Sequence, residues 1–250
     1  MVNYILFYSS KIIQELDMKI RIVTFNMHKG YSLFKRNYSL DNIKFLLDEL
    51  QPDIVFLQEL HGYHPENYSG LITPLEALAD TNWPHFRHGI NSIYPSNFHG
   101  NAIMSRFPII LWNNTDISTN FIEKRGLLHA RIEIKTKSHI DLFCTHLNLS
   151  PIGHYHQLKN IAQLLHDKTR SAHSILAGDF NDWNFLAHRQ FTKIEKFNST
   201  PLLKTFPSFL PILTLDRLYY KGFDLIDSWV SQDFKQCSDH LPIIVELDYL

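Results

Sequence analysis

The chain has 250 residues, 44% of them hydrophobic, enough to bury a substantial core without disulfide or metal staples. Its formal net charge of −1, with no long basic run, speaks against tight non-specific duplex binding, which phosphate neutralisation dominates, although a local basic patch would be hidden in the total. The two cysteines, Cys144 and Cys237, form no C-x-x-C pattern and read as free thiols, so a cytoplasmic protein is expected.

Residues 1–17 carry a short apolar stretch from Tyr4 to Tyr8 and then turn polar. That stretch is too short to span a membrane and lacks the basic flank and cleavage site of a signal peptide. Met18 directly precedes the first clear strand, so residues 1–17 read as an N-terminal extension or a misassigned start. Peripheral membrane contact through this segment is the alternative. Residues 18–250 read as a single domain.

Residues 20–25 (IRIVTF) form a strand ending at Asn26, and residues 54–57 (IVFL) one ending at Gln58 and Glu59. Between them, apolar residues at 40, 43, 46, 47 and 50 have helical spacing, with Ser39 as N-cap and Pro52 beyond the end. Strands follow at 101–105, 127–134 and 140–145; the middle one, LLHARIEI, alternates as a strand with one solvated face does. Residues 153–168 form a second helix, with Tyr155, Leu158, Ile161 and Leu165 on one side. Residues 175–177 enter the segment GDFND, 213–220 carry Asp216, and 241–247 follow the segment SDH. No internal repeat is evident, and the mixture predicts two packed sheets flanked by helices.

The polar residues at these strand ends carry the chemistry: Asn26, Glu59, Asp179, Asn181, Asp216, Asp239 and His240. Charges beside apolar strands are costly to bury unless paired or bound to metal, so several such ends predict one shared polar site. Asn, Asp and Glu are hard oxygen donors, suited to Mg²⁺ or Mn²⁺. Glu59 is the first ligand candidate, followed by Asn26 and Asp239. No H-E-x-x-H motif supports a zinc hydrolase.

The order Asn26, Gln58–Glu59, His146, Gly178–Asp179–Phe180–Asn181, Asp216, Ser238–Asp239–His240 resembles the endonuclease/exonuclease/phosphatase superfamily over roughly residues 18 to 248. NMHKG, HGNAIMSRFP, EKRG and GDFNDW are similar to a small bacterial branch encoded beside a cardiolipin synthase in enterobacteria, a neighbourhood that points to phospholipid chemistry. The resemblance implies a DNase I-like four-layer α/β sandwich, two packed mixed β-sheets flanked by helices, and a Mg²⁺- or Mn²⁺-dependent phosphoric ester hydrolase.

By that resemblance Asn26, Glu59 and Asp239 hold the metal, and Asp179 orients or deprotonates the attacking water. Asn181 bonds the phosphate or holds Asp179. His240, paired with Asp216, acts on the phosphate or as general base, the second role slightly preferred because an imidazole suits proton transfer near neutrality. His146 protonates the leaving group or stabilises the pentacovalent phosphorus. Asn101 and Arg125 are substrate-binding candidates, with strand-turn packing and a surface salt bridge as their respective alternatives. His28 and Lys29 either reach a phosphate or lie in a solvated loop. Trp183 and Phe185 either form a rim or belong to the core.

The expected substrate is a phosphodiester or phosphomonoester, with a phospholipid or other small phosphodiester slightly ahead of nucleic acid, and no obligate protein partner is indicated. A catalytically silent binding module is the competing class, but it would have lost one of the metal carboxylates, Asp179 or His240, and all are present.

Overall fold

The structure is a computed structural model that describes residues 18–28, 40–63, 73–94 and 97–250. The expectations for residues 1–17, Lys29 and Ser39 lie outside the described residues.

The first sheet contains β1 (Met18–Asn26), β2 (Ile54–Tyr63), β3 (His85–Ile93), β4 (Asn97–Ser105), β11 (Phe223–Val230) and β12 (Ile243–Tyr249), in the order β11-β12-β1-β2-β4-β3. The second contains β5 (Ile109–Asp116), β6 (Gly126–Lys135), β7 (Ser138–His146), β8 (His173–Asp179), β9 (Asn198–Ser199) and β10 (Asp216–Lys221), in the order β5-β6-β7-β8-β10-β9. Each sheet has one parallel pair, β1 with β2 and β7 with β8. Parallel neighbours need a crossover. Helix α1 (Leu40–Leu50) lies between the first pair and α3 (Pro151–Lys168) between the second; α2 (Pro74–Ala79) and α4 (Leu186–Arg189) are short.

Strand alternation explains the layers. Ile20, Ile22, Ile54 and Phe56 face Leu128, Leu142, Ile175 and Leu218 in the core between the sheets. The intervening Val23, Phe25, Val55 and Leu57 face Ile43 and Leu47 of α1 and Leu75 and Leu78 of α2. On the far side Leu127, Phe143 and Leu176 pack on Leu158, Ile161 and Leu165 of α3. The central strands are therefore covered on both faces and read as near-continuous apolar runs. The result is helices, sheet, sheet, helices, the four-layer sandwich that the motif resemblance implies.

Three expectations are corrected in detail. The strand LLHARIEI has no solvated face over its first half: Leu127 to Ala130 are buried. Its outward polar side chains are instead paired. His129 Nε2 lies 2.8 Å from Asp141 Oδ1 and Arg131 Nε donates to the same oxygen at 2.9 Å, beneath the end of α3. Second, β2 does not stop before Glu59 but continues to Tyr63 through a bulge between Leu57 and Leu60. Third, the strand expected from 213 starts at Asp216, and Leu213 forms only an isolated bridge with Phe206. Among the described residues no helix is long and apolar enough to cross a membrane, and Cys144 and Cys237 are free and buried.

Candidate active site

The strand ends carrying the predicted residues meet at one edge of the sandwich, beyond the carboxyl ends of both parallel pairs, where open α/β sheets commonly bind ligands. A cleft of about 340 Å³ opens there, lined by Asn26, His28, Glu59, Arg125, His146, Leu149, Asp179, Asn181, Trp183, Phe206, Leu215, Asp239 and His240.

Sheet register sets the floor of the cleft. His146 stands opposite Asp179 across β7 and β8, and Asp216 opposite Asp179 across β8 and β10, so their side chains share one face. Asn26 approaches from the other sheet and donates its amide to Asp179 Oδ2 at 3.0 Å. The other oxygen, Oδ1, accepts the Asn181 backbone N–H at 2.9 Å. Asn181 has a left-handed φ of 45°, which Asn tolerates better than most residues. Its Nδ2 donates to Leu147 O at 2.8 Å and lies 3.2 Å from His146 Nε2.

Ser238 ties the last segment to the first strand. Its hydroxyl donates to Asn26 O at 2.7 Å and accepts the His240 N–H at 3.2 Å. His240 Nδ1 lies 2.7 Å from Asp216 Oδ2, which also accepts the Thr205 hydroxyl. That leaves His240 Nε2 facing Asp179 Oδ2 at 3.7 Å, while His146 Nε2 lies 3.5 Å from the same oxygen.

The two histidines are driven apart electrostatically. Burial works against the His240 charge, but the Asp216 and Asp179 carboxylates outweigh it and raise its pKa to about 10. Burial, reinforced by the Arg125 charge and opposed by Asp179, lowers His146 to about 3. One ring is therefore an imidazolium and the other neutral at pH 7, a division typical of sites where similar groups have different tasks. Burial also raises Asp239, yet hydrogen bonding from His28, whose Nδ1 is 3.2 Å away, and the nearby His240 charge hold its carboxyl below the usual value.

Glu59 sits in the β2 bulge with a left-handed φ of 54°. Bulges re-aim side chains beside active sites, and such backbone strain costs of order 1–3 kcal/mol. Among the described residues the only basic group near its carboxylate is His146 Nδ1, at 3.8 Å. An oxygen donor so exposed to the cleft and so little engaged suits a cation.

Asp179, Asp216 and His240 also place ligand atoms within 4.8 Å of one another. However, a metal there would have to displace the His240–Asp216 hydrogen bond. Asn26, Glu59 and Asp239 also line the cleft and offer oxygen donors to a cation.

Arg125 lines the cleft and pairs with Glu123 at 3.5 Å, while its Nε is buried without a hydrogen-bond partner. Both of its expected roles are therefore compatible. His28 reaches the cleft and Trp183 forms part of its wall, whereas Phe185 does not line it. Asn101 is not among the lining residues. It is buried, and its amide donates to Gly126 O at 3.0 Å and Cys144 O at 3.4 Å, bridging the sheets. The packing alternative describes its position; the substrate contact does not.

The sequence assigns no role to Thr205 or to the hydroxyl of Ser238. Ser238 stood within the SDH motif, whose hydroxyl was the available signal. Thr205 stands in a loop without periodicity and carried none.

Comparison with known proteins shows the family. The family model described as "Endonuclease/Exonuclease/phosphatase family" matches residues 23–240, so the chain belongs to that family, whose members are hydrolases acting on phosphoesters. The chain is 33% identical to the uncharacterized protein YbhP of Escherichia coli (strain K12), over 94% of this chain and 98% of that protein. Among solved structures it is similar to an endonuclease/exonuclease/phosphatase from Beutenbergia cavernae, with a TM-score of 0.75 and 20% identity over 92% of this chain and 72% of that one. D. rerio TDP2 complexed with single strand DNA product gives a TM-score of 0.69 and 18% identity, covering 92% and 99% of the two chains.

Proposed function

We propose that this chain is a Mg²⁺- or Mn²⁺-dependent phosphoesterase that hydrolyses a phosphodiester by in-line attack of water, with a phospholipid or other small phosphodiester preferred to DNA and a phosphomonoester as the variant reading. The observation that carries this reading is the convergence on Asp179 Oδ2 of the Asn26 amide at 3.0 Å, His146 Nε2 at 3.5 Å and His240 Nε2 at 3.7 Å. A carboxylate fixed in this way can orient a water molecule and accept its proton.

Asn26, Glu59 and Asp239 are the residues that would hold the metal. When bound, it supplies neutralisation of phosphate charge and stabilisation of the leaving oxygen. Asp179 takes the base role in preference to His240, because the carboxylates around His240 keep it protonated at neutral pH and a protonated imidazole cannot accept the proton of water. His240 instead donates from Nε2 to a phosphate oxygen, with Asp216 fixing the ring. Neutral His146 hydrogen-bonds the phosphate or the leaving oxygen, and Arg125 offers its unpartnered Nε to the same charge. Asn181 holds Asp179 through its backbone N–H.

DNA is the second reading. It is carried over from the similar fold of TDP2, a structure complexed with single strand DNA product. The neutral overall charge and the similarity to the branch encoded beside cardiolipin synthase favour the smaller substrates. A cytoplasmic location, with peripheral access to membranes, accords with this choice.

The test is hydrolysis of bis-p-nitrophenyl phosphate, a phospholipid panel and plasmid DNA with Mg²⁺, Mn²⁺ or EDTA. Metal-dependent turnover is expected, with Asp179→Ala and His240→Ala each losing on the order of 10²–10⁴-fold, the range for removal of a general acid or base. Near-wild-type turnover by Asp179→Ala would overturn the mechanism. No turnover of any substrate with either metal would favour a silent binding module.

A further inference from the structure

Each loop on the second sheet's side of the cleft carries large apolar side chains into solvent. The register aligns Asp116 with Gly126, Leu127 with Thr145, His146 with Asp179 and Asp179 with Asp216. The segments 117–125, 147–150, 180–185 and 205–215 therefore all emerge from the edge that bears the cleft. All four contribute to its lining, through Arg125, Leu149, Trp183 and the pair Phe206 and Leu215.

Their outward residues are not core residues. Phe121 is 94% exposed and Ile122 92%. Leu149, Trp183, Leu210 and Ile212 are all exposed as well. The segment from Thr205 to Leu215 contains no charged residue. The first two segments are fastened together: Asn148 Nδ2 donates to Thr119 Oγ1 at 2.8 Å, and Gln157 Nε2 donates to Ile117 O at 3.2 Å and Asn148 Oδ1 at 3.0 Å. The apolar tips thus rest on a hydrogen-bonded base.

We infer that this lip is a membrane-contact surface that seats the cleft on a lipid bilayer. Single exposed apolar residues are ordinary, but their recurrence on all four loops around one polar cleft marks an interaction surface. The distribution favours a lipid over a protein partner. The apolar tips belong to separate loops beside one polar cleft, matching an amphiphile whose phosphate enters the cleft while its chains stay with the lip. The cations also fit. Lys124 Nζ lies 5.6 Å from the Phe121 ring centroid, Lys204 is exposed beside the uncharged segment, and the neighbouring Glu123 is paired with Arg125. Basic groups beside apolar anchors favour anionic headgroups. The inference deepens the proposed function and rests on it for what enters the cleft, though not for membrane contact itself.

The test uses the intact chain and two double variants, Phe121→Ser/Ile122→Ser and Leu210→Ser/Ile212→Ser. They are sedimented in EDTA with vesicles of equimolar phosphatidylethanolamine and phosphatidylglycerol, and separately with phosphatidylcholine vesicles. All these side chains are exposed, so their loss leaves the core intact. The intact chain is expected to bind the anionic vesicles more tightly. Each double variant should lose about tenfold or more in affinity, as removal of two inserted apolar side chains predicts, while metal-dependent hydrolysis of bis-p-nitrophenyl phosphate stays within about twofold. Failure of the intact chain to sediment, or equal sedimentation of all three proteins, would overturn the inference. So would a concentration-dependent dimer that the variants dissolve without any vesicle binding. Vesicle binding lost in the variants, with no hydrolysis by any protein, would instead retain the membrane surface and remove the phosphoesterase reading.

Discussion

Asp216 reaches the site only through its neighbours: Oδ2 takes both the Thr205 hydroxyl and His240 Nδ1, while Oδ1 is buried without a partner. Its consequence for pH follows from the shift in His240. A pKa raised from the ordinary 6.5 to about 10 means that the folded state holds a proton the unfolded chain releases earlier. The resulting stabilisation is full below about 6.5 and disappears as pH rises to about 10. His146, lowered to about 3, contributes in the opposite sense: its stabilisation is full above about 6.5 and is lost as pH falls toward about 3. Melting temperatures measured in EDTA at neutral pH and near pH 10 isolate the first effect. The wild type should lose more stability over that interval than Asp216→Asn, in which His240 lacks its largest charge partner. Parallel slopes for the two proteins would show that Asp216 does not hold the imidazolium. With metal restored, Asp216→Asn should lose on the order of 10²–10⁴-fold in turnover, by mispositioning the His240 ring.

At the scale of the element, the β2 bulge decides where Glu59 points. Its left-handed φ of 54° is strained for Glu and comfortable for Gly, so Glu59→Gly should remove the carboxylate and the strain together. Its melting temperature is expected to equal or exceed that of the wild type, while metal-dependent turnover collapses. A clear fall in melting temperature would show that Glu59 is structural. The bulge itself cannot be read in the sequence, since a one-residue slip leaves no compositional trace, and the apolar run alone ends the strand at Leu57. What could be read were elements packed on both sides: IRIVTF and IVFL are buried on both faces, and α1 occupies Leu40–Leu50 as its spacing predicts. The strands that the sequence does not announce, β3, β5, β9 and β11, are largely half-buried or exposed and lie at the sheet edges, where one row of partners is missing and polar residues are tolerated. LLHARIEI misled in the opposite direction, because its alternating polar residues are internally paired rather than solvated. The site was more legible than the edges because Asn26 and Asp179 each break an apolar strand abruptly and Asp239 stands in a short polar segment directly before one. The support from Thr205 depends on a chain reversal that no local pattern announces.

At the scale of the molecule, the site is divided between the layers. The first sheet supplies Asn26 and Glu59 and leads into β12 through Asp239 and His240, while the second supplies His146, Asp179 and Asp216. The charge available to a ligand at this junction is modest. Among the described lining residues Arg125 is the one Lys or Arg, supported by the His240 imidazolium, and the whole chain carries a net charge of −1. Duplex recognition scales differently. A protein that neutralises about 6–10 phosphates loses roughly 10³–10⁵-fold in affinity between about 50 and 200 mM salt, with a slope near −0.9 per phosphate contact. One or two contacts would give only about 4- to 12-fold over the same interval by the same relation. Binding of the Asp179→Ala chain to a labelled duplex, titrated against salt, measures that slope directly without cleavage of the probe. A shallow, weak isotherm is expected if the cleft takes one phosphodiester at a time from a lipid or another small molecule. A slope corresponding to six or more contacts would require a basic track that the described cleft does not supply, and it would transfer the substrate preference to DNA.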